Sequence, residues 1–231
     1  VEEAHDFMDN VPEKLDWMGT SCCPAWSVMA KKLFPEFKEN ISMALTPMVL
    51  TARLVKKDNP DARIVFVGPC AAKKLEASRR SVRSYVDFVL TFEELLGMFC
   101  AKDIDFATLE PDECDEDFTD GTGSGRGFAV VGGVAAAVAE VIGRLDPTRH
   151  VDVEYGDGLR ECRKMLTLAK AGKRNGYLLE GMACPGGCVA GAGTITPVMN
   201  AASNVRTYKA KAAKQNSLDS AYADRLEELE E

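Results

Sequence analysis

The sequence predicts an α/β fold built on parallel strands covered by helices, and three observations predict it. Apolar, β-rich runs recur, and Arg63-Ile64-Val65-Phe66-Val67 and Tyr177-Leu178-Leu179 are continuous rather than alternating. Strands that read this way are buried on both faces, as in parallel sheets. Helical patterns fall between the runs, which is the order of an α/β sheet. The chain has 231 residues, 46% hydrophobic and 28% charged, enough to bury a core as one large domain or two small lobes.

Taken in order, Glu2 to Asn10 reads as the end of a helix, and Leu15 to Thr20 as a short strand running into Ser21-Cys22-Cys23. A helix follows from Trp26 to Leu33. Met43 to Lys57 carries another, which requires Pro47 to lie in its first turn, where no N–H is needed. Asn59-Pro60-Asp61 turns into the run Arg63 to Val67, read as a buried parallel strand ended by Gly68-Pro69. A basic helix follows Cys70, then a strand-like run from Tyr85 to Leu90. Thr91 and Glu94 form a capping box that opens a helix through Ala101. Leu109 to Gly127 is an acidic, glycine-rich loop. Gly133 to Arg144 is a helix of small residues, His150 to Tyr155 a strand, and Gly158 to Ala171 a helix. Tyr177 to Leu179 is the third buried strand, and from about Asn204 the tail is polar and helical. No repeat or linker divides the chain.

Composition narrows the function. The formal net charge is −8, and no basic patch stands out, so nucleic-acid binding is set aside. No apolar run approaches the ~20 residues of a membrane span. Eight cysteines stand beside two histidines. A chain of this size needs no disulfide staples, so the cysteines read as metal ligands or buried thiols in a reducing compartment. No signal-peptide pattern is visible, in a chain that starts at Val1.

Three strand-like segments lead into cysteine: Cys23, Cys70 and Cys184. Parallel sheets gather ligands at the carboxyl ends of their strands, so the three can converge. Cys188 follows Cys184 by four residues, and a helical turn there would face both thiolates to one side. Four soft thiolates suit an iron–sulfur cluster or zinc. Zinc sites usually show paired short knuckles, whereas only one short cysteine spacing occurs here, so the pattern favours the cluster, with buried thiols as the third reading. Pro24, Pro69, Pro185, Gly186, Gly187, Gly191 and Gly193 let the backbone come close and aim amides at sulfur.

Thr20-Ser21-Cys22-Cys23-Pro24-Ala25-Trp26, Pro69-Cys70-Ala71-Ala72-Lys73-Lys74-Leu75-Glu76 and Glu180 to Gly193 resemble the three signature motifs of the FeFe (iron-only) hydrogenases, in the family's order. The resemblance spans nearly the whole chain. It implies parallel sheets flanked by helices in two lobes with the metal cluster between them. It also implies the H-cluster, a 4Fe-4S cubane joined to a di-iron subcluster that carries CO, CN and azadithiolate. Carried over by motif, Cys23, Cys70 and Cys184 ligate the cubane and Cys188 bridges to the di-iron unit. Lys73 matches the lysine that hydrogen-bonds a cyanide. Cys22 matches the thiol that exchanges protons with the azadithiolate amine, and Ser42, Glu3 and Asp6 match the outward proton path. Met182, Gly68, Pro69 and Phe128 fall where the family lines its cofactor.

The motifs also depart from the commonest pattern. Gly68 replaces a methionine, Thr46 and Met48 replace a serine and a glutamine, and Ala192 interrupts a glycine triplet. The family's stretch upstream of the first motif has no counterpart, so residues 1–231 read as a partial, N-terminally truncated H-cluster domain of a variant branch. The resemblance implies reversible reduction of protons to dihydrogen, with electrons from a ferredoxin or another iron–sulfur partner, maturation proteins that build the di-iron unit, and an anaerobic cytoplasm. Two alternatives stand beside it: a hydrogen sensor with slow turnover, and a Nar1-like or Narf-like iron–sulfur assembly factor. Cys100, Cys114 and Cys162 read as structural or free thiols. The acidic run Asp112 to Asp117 reads as a solvated loop, since it lacks EF-hand spacing.

Overall fold

In the computed structural model, which describes residues 1–110 and 121–229, the strands form two separate parallel sheets. The chain order is α1 (Glu2–Asn10), β1 (Met18–Gly19), α2 (Pro24–Leu33), α3 (Pro47–Asp58), β2 (Val65–Val67), α4 (Ala72–Ala77), β3 (Phe88–Leu90), α5 (Phe92–Ala101), α6 (Gly123–Arg126), α7 (Gly133–Leu145), β4 (Asp152–Asp157), α8 (Leu159–Lys170), β5 (Tyr177–Met182) and α9 (Val198–Ala210). Pro24 and Pro47 open α2 and α3 at the first helical turn, where proline fits. The α3 helix therefore begins at Pro47 rather than at Met43, because proline pushes the residue before it out of the helical region. Thr46 is extended there.

The larger lobe centres on β5, which pairs with β1 on one side and β4 on the other. Side chains of β5 alternate between two cores. Leu178 packs with Phe7 of α1 and Val134, Val138 and Val141 of α7, while Leu179 packs with Trp26 of α2 and Met165 and Leu166 of α8. Both faces of this sheet are covered, as the continuous apolar run implies. Gly181 has no room for a side chain, because a Cβ there would lie 2.0 Å from the Trp26 indole.

The smaller lobe is a two-stranded sheet, β2 beside β3, with Met48, Val49 and Ala52 of α3 packed over Val89 together with Val82 and Val86. Its strands are parallel, as expected, but β2 is not buried: Val65 is 47% exposed and Val67 39%. Only one face of this sheet is covered by described residues, and Phe88 on the neighbouring strand is 62% exposed. The adjoining α5 buries none of its residues, although its capping box forms as the sequence requires.

Three further expectations change. The segment from Cys184 to Cys188 does not turn as a helix, because Gly186 and Gly187 both take positive φ, 95° and 96°. Within the expected acidic loop, Thr122 caps the short α6 by accepting from the Gly125 amide. Cys114 and the acidic run 112–117 lie outside the described residues. The tail helix starts at Val198, ahead of Asn204.

Candidate metal centre

The four motif cysteines come from both lobes. Cys23 sits at the N-cap of α2 just after β1, Cys184 and Cys188 follow β5, and Cys70 follows β2 of the smaller sheet. Burial and the mutual charges of Cys23, Cys70 and Cys184 push the Cys188 thiol up to about 12, and burial with Cys23 and Cys70 raises Cys184. The four sulfurs thus share one electrostatic environment. Among the described residues, no three His, Cys, Asp or Glu side chains converge to the spacing of a single metal ion. Soft sulfur donors are the ligand type that iron–sulfur clusters take, and the positive charge of such a centre would favour the thiolates of Cys184 and Cys188 against the burial that raises them.

The loops that carry these sulfurs interlock. Gly193 N–H donates to Pro69 O at 2.9 Å, and a Cβ at Gly191 would stand 2.3 Å from the same carbonyl. The loop after β5 thereby presses on the Pro69-Cys70 segment, which only glycine at 191 permits. Gly68 N–H donates to Leu90 O, and the space a side chain at 68 would take is filled by the Phe66 ring, 2.9 Å from the ideal Cβ. Met182 is buried at the end of β5, and Phe128 packs on the same core.

Cys22 is held differently from its neighbour. Burial first, then the charges of Glu3, Glu180, Cys23 and Cys188, push its thiol well above the ordinary value of 9.0. Its Sγ lies 3.9 Å from Thr20 Oγ1. Glu3 accepts from Ser21 N–H at 2.5 Å, and burial raises its carboxyl above the usual range. One turn along α1, Asp6 Oδ2 accepts from Ser42 Oγ at 2.5 Å. The four residues expected of the proton path therefore fall into two close groups, Cys22 with Glu3 and Ser42 with Asp6. Lys73 is buried and donates to Glu76 at 2.7 Å and to Cys22 O at 3.5 Å.

A cavity of about 390 Å³ opens beside Cys22 and Glu3 and is lined by Phe128, Val134 and Val138. Ser217, Ser220 and Tyr222 of the tail form its far wall. Sequence reasoning missed the tail's part, Glu76 and Glu180. Glu76 had a signal, since it falls three residues after Lys73 on one helical face. Glu180 had one too: it is the lone charge inside an apolar strand, and it is fully buried. Of the cysteines without an assigned role, Cys162 is buried, pushed up to about 12 by burial, and donates to Gly156 O at 3.3 Å, while Cys100 is exposed.

The family model described as iron only hydrogenase large subunit, C-terminal domain, matches residues 1–192. Over 239 residues the chain is 30% identical to the periplasmic Fe hydrogenase large subunit of Nitratidesulfovibrio vulgaris, covering 86% of this chain and 56% of that protein. It is 29% identical to iron hydrogenase 1 of Clostridium pasteurianum, over 84% of this chain and 40% of that one. A shorter stretch, 42% of this chain and 21% of the other protein, is 35% identical to the cytosolic Fe-S cluster assembly factor NAR1 of Kluyveromyces lactis. The chain thus spans little more than half the length, or less, of these curated relatives. A solved structure of HydA(deltaEFG), described for stepwise H-cluster assembly, superposes with a TM-score of 0.71 at 24% identity, over 98% of this chain and 76% of that one. That likeness establishes the shared fold. No helix among the described residues is long and apolar enough to cross a membrane.

Proposed function

The chain belongs to the iron-only hydrogenase large-subunit family, in its C-terminal domain, and from that premise we propose that it holds an H-cluster and interconverts protons and dihydrogen. The observation that carries this reading is Cys22, which shares a cavity wall with Glu3, packs on the same core as Cys188 and feels the charges of both. That thiol is thus close enough to both the proposed bridging ligand and the start of the proposed proton path to serve each. Electrons would come from an iron–sulfur partner, and dedicated maturation proteins would deliver the di-iron unit. The cluster chemistry proposed for four of the cysteines needs a reducing compartment, and we assign the chain to the cytoplasm.

In this reading Cys23, Cys70, Cys184 and Cys188 would hold the H-cluster, the first three as ligands of its cubane and Cys188 as the ligand shared with its di-iron unit. The H-cluster, when bound, supplies the redox chemistry. The Cys22 thiol, kept protonated by burial and by nearby negative charge, holds a proton at Sγ and exchanges it with Glu3. Burial raises the Glu3 carboxyl above the usual range, which makes its carboxylate a better proton acceptor than an exposed one. Ser42 and Asp6 then carry the proton outward along their 2.5 Å hydrogen bond. Lys73, aligned by Glu76 and reaching toward the Cys22 carbonyl, would offer a remaining ammonium donor to an anionic ligand of the cluster. Met182, Pro69 and Phe128 are assigned to the lining of the cofactor site, as is Gly68, where the Phe66 ring takes the space of the side chain that commoner family members carry as methionine.

The test is anaerobic reconstitution with iron and sulfide, followed by loading with a di-iron precursor. Carbonyl and cyanide infrared bands, together with hydrogen turnover, are expected. Replacing Cys22 with alanine should leave the bands and lower turnover by about 100-fold or more, the share that general acid–base groups carry. A cubane without infrared bands would favour the assembly-factor reading, which the stretch shared with NAR1 keeps in play. Full infrared bands with turnover far below that of standard hydrogenases would favour the sensor reading, for which the replaced pocket wall at Gly68 is the motive.

A further inference from the structure

We infer that Glu180 is a positioning residue for the cluster, acting through a clamp that runs from its carboxylate across the Val130–Gly133 turn to the loop bearing Cys184 and Cys188; the inference rests on the proposed cluster site. Glu180 lies on β5, fully buried, and both of its oxygens are engaged. Oε1 accepts from Gly132 N–H at 2.7 Å and Oε2 from Ala135 N–H at 2.6 Å. These amides open α7, whose first N–H groups have no partner inside the helix. No side chain of the helix's own N-cap does this work, because the N-cap is Gly132. A carboxylate from the neighbouring strand does it instead.

The turn that Glu180 holds is itself tied to the ligand loop. Gly133 N–H donates to Val130 O at 3.0 Å, and Gly132 takes φ 85° and ψ −12°, the third position of a type II turn. Val131, at the second position, donates its N–H to Gly186 O at 3.2 Å. The next residue, Gly187, packs so closely that a Cβ would lie 2.6 Å from Val131 N and 2.7 Å from Ala129 O. Gly187 N–H in turn donates to Cys184 O. The circuit is closed: β5 carries Glu180 and, four residues on, Cys184, while the turn held by Glu180 grips the residues between Cys184 and Cys188. Outer partners that orient ligands typically change metal retention by about 10- to 100-fold when removed.

Two variants test the clamp. Glu180→Gln keeps size and shape but turns one acceptor into an NH2 that faces an N–H, so a residue that only fills space would be rescued and this clamp is not. Val131→Pro replaces the N–H that reaches Gly186 with a ring carbon, at a turn position that proline favours, and so breaks that bond between turn and loop while keeping an apolar residue at 131. Hydrogen exchange in the metal-free proteins reads the loop directly. Both variants should speed exchange of the Gly186 and Gly187 amides by roughly fivefold or more, and by more than any change in the amides of β5. After reconstitution, both should lose the cubane to a chelator about tenfold faster than the wild type. Wild-type exchange at these amides in either variant overturns the clamp. Faster exchange with an unchanged rate of cluster loss overturns its role in positioning. Should Glu180→Gln not fold, Val131→Pro decides both points alone. If the wild type takes up no cubane, the cluster reading falls and the exchange measurement alone decides the clamp.

Discussion

β5 and β2 read alike in the sequence, and they end in opposite situations. Leu178 and Leu179 are fully buried, between helices on both faces, while Val65 and Val67 stand 47% and 39% exposed on a two-stranded sheet covered on one side. A continuous apolar run reports that a strand can be covered twice, and it does not report whether the covering elements are present. The contrast has a functional side. The covered lobe carries Cys22, Cys23, Cys184, Cys188 and Glu180, so most of the proposed ligands hang from a framework with two cores. The open lobe contributes Cys70 and Lys73 from the short β2 and α4. One jaw of the site is packed throughout, and the other is supported mainly by α3.

That difference predicts unequal responses to core deletion. Leu179→Ala removes a side chain enclosed by Trp26, Met165 and Leu166 and should cost about 2–5 kcal/mol in denaturant unfolding of the metal-free protein. A loss below about 1 kcal/mol would mean that the large lobe relaxes around the cavity, and that its packing is no tighter than that of the small one.

The sequence made the alternation of strands and helices legible, and with it the parallel sheets. Thr91 and Glu94 announced α5 by a local rule, and the structure forms both bonds of that box. The motif cysteines were legible because chain order and spacing carry them. The open face of β2 was not legible, because burial depends on partners far away in the chain. The turn expected between Cys184 and Cys188 failed for a local reason: Gly186 and Gly187 take backbone angles that a helix excludes. Glu180 was visible as a lone charge in an apolar run, yet its partners, Gly132 and Ala135, lie more than forty positions away, and no pattern in β5 points to them.

The caps sharpen the comparison at a smaller scale. The α5 helix of the open lobe is capped by its own neighbours, with Thr91 Oγ1 accepting from Glu94 N–H at 3.1 Å. The α7 helix of the covered lobe is capped across space by Glu180. Thr91→Ala should therefore cost about 1 kcal/mol, felt locally as faster exchange of the first α5 amides. Equal loosening of α7 would show that the two lobes unfold as one unit.

Acid should separate the lobes by sign. In the open lobe, the Lys74 hydrogen bond and then the Thr91 amide hold Glu94 down at about 2, and the Ile64 amide followed by Arg63 holds Asp87 at about 2. Folded values below the ordinary 4.5 and 3.8 mean a stabilisation present above those values and lost as pH falls toward about 2. In the covered lobe, burial raises Glu180 and Glu3. A raised folded value gives the reverse dependence: the contribution is complete below the ordinary 4.5 and fades as pH rises through the folded value. Hydrogen exchange followed down from neutral pH should therefore show α5 and β3 loosening before β5. If β5 loosened first, the burial assigned to Glu180 would be wrong. The surface pairs are screened by water and salt, so the open-lobe effect should shrink at high ionic strength.

The smallest expected effect probes the open face itself. Phe88 is 62% exposed on β3, opposite Val65 in the parallel register. Threonine keeps the branched shape that strands favour while removing the ring. A side chain already in water has little burial to lose, so Phe88→Thr should move stability by no more than about 0.5 kcal/mol. The same ring enclosed by a covering helix would behave as a core residue, and truncating it would cost about 3–5 kcal/mol. The gap between the two figures is wide enough for one denaturant titration to resolve. A near-zero change leaves β2 and β3 with one wet face. A loss of several kcal/mol would mean that something covers this face in solution, and the contrast between the lobes would then lie in what covers them rather than in whether they are covered.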